Sequence, residues 1–147
     1  MLARDVMSAP VIALRPDVPA HAAAALLVSH GFTAAPVVDR ERRVVGIATE
    51  ADLVRGRIVP EGWTVEELPE PTVADVMTPS PTMLPPDADL ADVVALMLDL
   101  GIRSVPIVDD GTLVGVVSRR DALRVVANRE LTSDDVRRRR GDPAARR

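Results

Sequence analysis

The sequence predicts a mixed α/β (α+β) fold, in which one β-α-β-β-α repeat occurs twice. Residues 5–8, Asp-Val-Met-Ser, recur seventy positions later as Asp-Val-Met-Thr at residues 75–78. Glycine, proline and aspartate positions then recur in the same order, with one residue deleted partway: Gly31, Pro36, Gly46 and Asp52, then Gly101, Pro106, Gly115 and Asp121. Because the matches keep their order across most of each copy, the chain is a tandem duplication.

Each repeat is predicted to open with a short extended stretch and then a helix. The extended stretches lie at residues 11–14 and 82–84, and each leads to a Pro-Asp pair. Asp17 and Asp87 are residue types that favour the N-cap, so the helices are predicted to begin there. In the second helix, apolar residues recur at helical spacing from Leu90 onward. The glycine that follows each helix is expected to end it.

Two strands and a second helix follow in each repeat. Runs of β-branched residues joined by polar turns of two to four residues are typical of hairpins. The paired strands are predicted at residues 35–39 and 44–48, and again at residues 105–109 and 113–117. A final helix is predicted from Thr49 in the first repeat and from Ser118 in the second.

These elements divide the chain into four segments. They are the first repeat at 1–58, a proline- and acid-rich linker at 59–72, the second repeat at 73–131, and an arginine-rich tail at 132–147. The tail contains six Arg and three acidic residues, which give it a net charge of +3. Since the net charge of the whole chain is −4, residues 1–131 carry −7. Such an acidic body is a poor surface for nucleic acid. The tail is predicted to be disordered.

The composition excludes several kinds of chemistry. The sequence has no Cys and no Lys, and its aromatic residues are Phe32 and Trp63. Disulfides, thiolate catalysis, Schiff bases and a pocket of stacked rings are therefore excluded. His21 and His30 lack metal-ligand spacing and an acidic partner nearby in the sequence, so both are predicted to be surface histidines. Without a recognisable triad, carboxylate pair or glycine-rich phosphate loop, we expect no enzyme activity and no required cofactor.

The sequence also makes a prediction about compartment. No apolar run approaches the roughly 20 residues of a membrane span. The chain does not open with a basic and then apolar signal segment. Since the absence of cysteine suits a reducing compartment, the protein is expected in the cytoplasm.

The repeated motifs resemble those of the CBS domain, the family named for cystathionine β-synthase. Three motifs match in each repeat. The first is Asp-Val-Met at residues 5–7 and 75–77, and the second runs from a glycine to a proline at residues 31–36 and 101–106. The third is Gly-h-h-Thr/Ser-x-x-Asp, in which h is an apolar residue, at residues 46–52 and 115–121. The resemblance covers about residues 3–58 and 73–129. It implies two repeats packed through their sheets with pseudo-twofold symmetry. It also implies two clefts that in many members bind AMP, ADP, ATP, S-adenosylmethionine or cyclic dinucleotides.

Thr49 with Asp52, and Ser118 with Asp121, are open to two interpretations. Each pair has the spacing of a capping box, in which hydroxyl and carboxylate satisfy the backbone N–H groups of the first helical turn. A helix start of this kind also attracts phosphate. By resemblance, Asp52 and Asp121 would hold ribose, and Thr49 and Ser118 would contact ribose or phosphate. The two roles can coexist.

Further ligand contacts follow from the resemblance alone. Arg103 occupies a position that in the family often faces ligand phosphates, although an exposed arginine paired with the acidic surface is the alternative. Its counterpart Thr33 is uncharged, so the two clefts should differ. Adenine needs an apolar slot. The residues that align with this slot in the family, each of which could instead be a core residue, are Ile12, Phe32, Ile47, Thr82, Ile102 and Val116.

The favoured hypothesis is a regulatory sensor that binds an adenosine-containing ligand and regulates an unknown target protein in trans. One alternative is an interaction or assembly module with unoccupied clefts, and another is a nucleic-acid role through the basic tail. The resemblance also implies a homodimer. Some apolar helix residues could be buried in the dimer interface or could instead pack within the chain. They are Leu26, Leu27, Leu90, Val94 and Met97.

Overall fold

The structure is a computed structural model that describes residues 1–9, 11–56, 61–62, 64, 69–128 and 136. Of the predicted tail, only Val136 is among them, and residues 59–60, 63 and 65–68 of the predicted linker lie outside them. In chain order the elements are α1 Ala3–Val6, α2 Ala20–His30, β1 Ala34–Val38, β2 Val44–Thr49, α3 Glu50–Arg55, α4 Val73–Val76, β3 Thr78–Pro79, α5 Leu90–Leu100, β4 Ser104–Asp109, β5 Thr112–Ser118 and α6 Arg119–Ala127.

The chain divides into two compact units whose boundaries do not follow the repeats. The continuous unit is Ile12–Pro81, and the split unit joins Met1–Val11 to the chain from Thr82 onward. Each unit therefore contains most of one repeat together with the opening residues of the other.

Each unit contains a small antiparallel sheet. In the continuous unit the order is β1-β2-β3, with Ala34 opposite Thr49 and Ile47 opposite Thr78. In the split unit β4 pairs with β5, from Ser104 opposite Ser118 onward. The predicted hairpins are thus confirmed, with ends shifted by a residue or so.

The extended stretch that opens each repeat forms less structure than a strand. Leu14 makes one parallel bridge to Val37, and Leu84 makes one to Ile107. Pro16 and Pro85 follow within two residues, and proline cannot donate the backbone hydrogen bond that a longer ladder needs. The β-α-β-β-α order therefore holds, with its first β element reduced to a single bridge.

The first helix of each repeat begins later than predicted. The N-caps are Pro19 for α2 and Asp89 for α5, and the Asp89 carboxylate accepts a hydrogen bond from the backbone N–H of Ala91 at 2.9 Å. The prediction that Asp17 and Asp87 cap these helices was wrong, because both lie in the turn that precedes the helix. The predicted helix ends are confirmed at glycines in the left-handed region, with φ of 68° and 65°.

The two helices bury matching positions. α2 buries Ala20, Ala23 and Leu27, and α5 buries their counterparts seventy residues later, Leu90, Val93 and Met97. This i, i+3, i+7 spacing places each set on one helix face. Each face packs in the core of its own unit.

The opening motif of each repeat packs in the unit that holds most of the other repeat. Ala3 of α1 is fully buried in the split unit, and its N–H donates to the carbonyl of Ala88 at 2.8 Å. Val73 of α4 is fully buried in the continuous unit, and its N–H donates to the carbonyl of Val18 at 2.8 Å. The sequence alone did not predict these short helices or the exchange that they produce.

Candidate functional site

Each repeated hydroxyl and carboxylate pair lies where a strand passes directly into a helix. At the start of α3, the Asp52 N–H donates to Thr49 Oγ1, and the Thr49 N–H donates to Asp52 Oδ2, both at 3.1 Å. At the start of α6, the Asp121 N–H donates to Ser118 Oγ at 3.2 Å, and the Ser118 N–H donates to Asp121 Oδ2 at 2.8 Å. The predicted capping boxes are present in both units.

Both carboxylates are buried, each 4% exposed. Burial of a charge is costly unless the charge is paired and hydrogen-bonded. The partner is an arginine three residues on: Arg55 Nη2 donates to Asp52 Oδ1 at 2.5 Å, and Arg124 Nη1 donates to Asp121 Oδ1 at 3.1 Å. These two ion pairs could have been predicted from the sequence. Arg55 and Arg124 occupy matching positions in the two repeats, and residues at i and i+3 share a helix face.

The two carboxylates differ in one further contact. Thr78, from the opening motif of the second repeat, places Oγ1 at 3.3 Å and 3.4 Å from the two carboxylate oxygens of Asp52. The matching residue is Ser8, and among the described residues its side chain makes no such bond to Asp121. Instead, Ser118 Oγ donates to Asp121 Oδ2 at 3.0 Å. Sequence reasoning missed Thr78, which lies 26 residues from Asp52.

Arg103 lies beside the start of α6. The N–H of Arg119 donates to the carbonyl of Arg103 at 2.9 Å, and the N–H of Glu50 donates to the carbonyl of Thr33 at the same distance. The backbone around Arg103 and Thr33 is therefore matched in the two units. The difference between these positions is confined to their side chains.

The six adenine-slot candidates divide between the units, and none is fully buried. In the continuous unit, Ile12 and Ile47 are half-buried, while Phe32 is 41% exposed and stacks on His30 with ring centroids 5.2 Å apart. The candidates of the split unit are Thr82, which is exposed, and Ile102 and Val116, which are half-buried. Partial burial leaves these side chains with surface that a ligand could contact, and their role stays a prediction.

One histidine has a partner that sequence reasoning missed. His21 Nδ1 lies 2.7 Å from Glu70 Oε1, and the His21 N–H donates to the same oxygen at 3.1 Å. Because Glu70 comes from the linker, 49 residues away, the sequence near His21 did not indicate this partner. Both side chains are exposed, so the pair is a surface contact.

The described part of the chain contains neither a metal-binding cluster nor a helix suited to crossing a membrane. No group of three or more His, Cys, Asp or Glu side chains there could hold a metal ion. Among the helices of the same residues, none has the length and apolar character to cross a bilayer.

Known proteins resemble this chain in both repeats. The family model for the CBS domain matches residues 3–59 and 73–128. The A-adding tRNA nucleotidyltransferase of Aquifex aeolicus (strain VF5) is 31% identical over 123 residues, a match that covers 84% of this chain and 14% of that enzyme. The chain also spans only 47% of a second curated relative, from Methanopyrus kandleri.

Two solved structures share the fold and were determined with bound ligands. The CBS domain pair of protein MJ0100, in complex with 5′-methylthioadenosine and S-adenosyl-L-methionine, is 28% identical, with a TM-score of 0.74 and coverage of 88% of this chain and 98% of that one. CBSX2 in complex with AMP is 27% identical, with a TM-score of 0.76 and the same coverage.

Proposed function

This chain belongs to the CBS domain family, and we propose that it is a non-catalytic regulatory module that binds an adenosine-containing ligand. One observation carries the proposal. Each unit contains a buried carboxylate hydrogen-bonded to a hydroxyl residue at a helix start, Asp52 with Thr49 and Asp121 with Ser118. Ribose presents two adjacent hydroxyl donors, and a carboxylate with two acceptor oxygens is suited to them.

The two related complexes support adenosine as the shared part of the ligand. Their ligands, 5′-methylthioadenosine, S-adenosyl-L-methionine and AMP, differ beyond the ribose but have adenosine in common. In this proposal Asp52 and Asp121 accept from ribose, Thr49 and Ser118 contact ribose or phosphate, and Arg103 contacts phosphate. The six partly exposed residues described above form the adenine slots.

Regulation requires more than binding. A ligand shifts an equilibrium only by its difference in affinity for two states. We therefore include in the proposal a target protein that is regulated in trans and binds one of those states. A cytoplasmic location is also part of the proposal, supported by the cysteine-free sequence.

The test is a thermal-shift screen of the full chain with AMP, ADP, ATP, S-adenosylmethionine, NAD and cyclic dinucleotides. A ligand at one hundred times its Kd that binds only the folded state adds about 2.7 kcal/mol of stability. We expect at least one adenosine ligand to raise Tm, and the double variant Asp52→Ala, Asp121→Ala to lose that shift.

Loss of a capping box could itself disturb the fold, so the control removes two other caps. The carboxylates of Asp5 and Asp75 accept from the N–H groups of Leu2 and Thr72 at 2.8 Å, and neither is a candidate ligand contact. The double variant Asp5→Ala, Asp75→Ala should keep the ligand shift. If no ligand shifts the wild-type Tm, the proposal fails and an assembly module becomes the better hypothesis.

We also propose that the protein is a homodimer. Leu90, Met97 and Leu27, named from the sequence as possible interface residues, are buried within their own units. Four of the apolar helix residues that remain exposed instead occupy matching positions in the two repeats: Val28 and Leu98 are 82% and 49% exposed, and Val54 and Leu123 are both 65% exposed. Such repeated exposure favours burial against a second copy.

A further inference from the structure

We infer that the two candidate sites take ligands of different charge. The split unit, with Asp121, takes an adenosine that has a phosphate chain. The continuous unit, with Asp52, takes an adenosine without phosphate. This inference rests on the proposed function, because it assumes that both carboxylates hold ribose.

The observation behind it is a charge difference at three matched positions beside the two carboxylates. In the split unit these positions are Arg103, Arg119 and Arg120, and all three side chains are exposed. Their counterparts in the continuous unit, which are also exposed, are Thr33, Glu50 and Ala51. The formal charge at these positions is therefore +3 in one unit and −1 in the other.

The three arginines are held next to the Ser118–Asp121 pair. Arg119 and Arg120 are the first residues of α6, directly after Ser118. The backbone hydrogen bond from Arg119 to the Arg103 carbonyl connects the third arginine to this turn, and Arg119 Nε donates to the carbonyl of Ile102 at 3.2 Å. Because the same backbone bond joins Glu50 to Thr33, the backbone at this turn is matched in the two units while the side-chain chemistry differs.

The three arginines are also available to a ligand. Among the described residues, no carboxylate forms an ion pair with Arg103, Arg119 or Arg120. Arg55 and Arg124, by contrast, are paired with the buried aspartates. Guanidinium groups bind phosphate through charge-assisted and often bidentate hydrogen bonds, so an unpaired cluster favours a phosphate chain.

The continuous unit has the opposite preference. Glu50, the first residue of α3, brings a negative charge to the position that Arg119 occupies in the other unit. A like charge next to a phosphate chain lowers its affinity, and discrimination of this kind depends on repulsion as much as on attraction. An uncharged nucleoside is not repelled.

The experiment is titration calorimetry of full-length chains in which one site is silenced. Asp52→Ala leaves the split unit to report, and Asp121→Ala leaves the continuous unit. The probes are adenosine and ATP. In the Asp52→Ala chain we expect ATP to bind about tenfold or more tightly than adenosine, with an advantage that falls as salt is raised. In the Asp121→Ala chain we expect adenosine to bind at least as tightly as ATP.

A charge variant then tests the cause. Adding Arg119→Ala and Arg120→Ala to the Asp52→Ala chain should remove most of the ATP advantage and leave adenosine affinity within about twofold, as expected if only the phosphate contacts are lost. The matched control is Arg4→Ala with Arg40→Ala, two exposed arginines elsewhere, which changes net charge equally and should leave the preference intact. If an alanine variant does not fold, Asp52→Asn or Asp121→Asn replaces it.

The outcomes distinguish a failure of the charge preference from a failure of adenosine binding itself. Equal affinity for ATP and adenosine in the Asp52→Ala chain overturns this inference but leaves adenosine binding in place. An ATP preference that is undiminished by loss of Arg119 and Arg120 overturns it as well. If the wild-type chain binds neither probe, the proposed binding of adenosine nucleosides and nucleotides fails, and this inference fails with it.

Discussion

Asp39 shows how one side chain can stabilise a turn and make that contribution to folding stability depend on pH. It follows β1, and its Oδ1 accepts hydrogen bonds from the N–H groups of Glu41 and Arg43, both at 2.9 Å. The backbone hydrogen bond from Arg43 is the largest cause that lowers the pKa of Asp39 below its ordinary value. The hydrogen bond from Glu41 and the nearby Arg43 guanidinium, whose Nε lies 3.3 Å from Oδ2, lower it further.

The lowered pKa predicts the sign of the pH effect. When the folded pKa lies below the unfolded pKa, the unfolded chain binds more protons, so stability rises with pH through that window. The contribution of Asp39 should be complete above its unfolded pKa and should disappear as pH falls through its folded pKa. We expect the difference in unfolding free energy between wild type and Asp39→Asn to shrink from pH 7 to pH 3 in denaturant titrations. A constant difference would contradict this prediction.

Among the elements, α5 shows which acid caps a helix. Asp89 and Asp87 lie two residues apart, and the sequence alone favoured Asp87 because it follows a proline. The structure instead places the hydrogen bond to the first turn at Asp89. The N-cap was therefore predictable to within one turn but not to the residue.

These neighbouring acids form a matched pair for mutation. Asp89→Ala should destabilise the fold by about 0.5–2 kcal/mol, the usual cost of a lost N-cap. Asp87→Ala removes an exposed turn residue and should change stability by no more than about 0.5 kcal/mol. Equilibrium unfolding in urea measures both, and equal effects would argue against Asp89 as the cap.

A second relation between elements explains why a glycine recurs in β2 and β5. A Cβ at Gly115 would overlap the sulfur of Met7 and approach its Cγ to 2.7 Å, and a Cβ at Gly46 would overlap the sulfur of Met77. Gly46 and Gly115 thus leave room for the methionine of the opening motif. Both glycines are visible in the sequence, but what they contact is not.

This contact predicts coupling between residues that are far apart in sequence. Gly115→Ala should destabilise the protein by about 1–3 kcal/mol through overpacking. In the double variant Gly115→Ala, Met7→Ala the overlap disappears, so the two changes together should cost less than the sum of their separate costs. A double-mutant cycle of unfolding free energies measures the coupling, and strict additivity would show that the two residues do not interact.

At the scale of the whole molecule, the exposed apolar helix positions predict an assembly. Light scattering should give the wild-type protein twice the 15.7 kDa mass of the chain. Val54→Glu with Leu123→Glu should return the mass toward one chain, because charged groups are unfavourable in a buried apolar interface. The control Met83→Glu changes an exposed apolar residue outside the helices and should leave the mass unchanged. A wild-type mass of 15.7 kDa would contradict the homodimer.

Local patterns in the sequence determined much of this protein. The hairpins, the glycines that end α2 and α5, and the capping boxes at Thr49 and Ser118 all depend on residues within a few positions of one another, and the duplication is the recurrence of such local motifs about seventy positions later. Short-range hydrogen bonds and side-chain periodicity determine such features, so a single sequence reveals them. The candidate site residues likewise came from local motifs, and their ligand roles stay predictions.

Only the tertiary structure decided which distant residues meet. Thr78 reaches Asp52 from 26 positions away, Glu70 reaches His21 from 49 positions away, and Met7 packs on Gly115. The physical reason is that these contacts depend on the path of the whole chain, which places the opening segment of each repeat in the unit that holds most of the other. Burial of Ala3 and Val73 stabilises that path, but the apolar character of these residues does not specify the core in which they are buried.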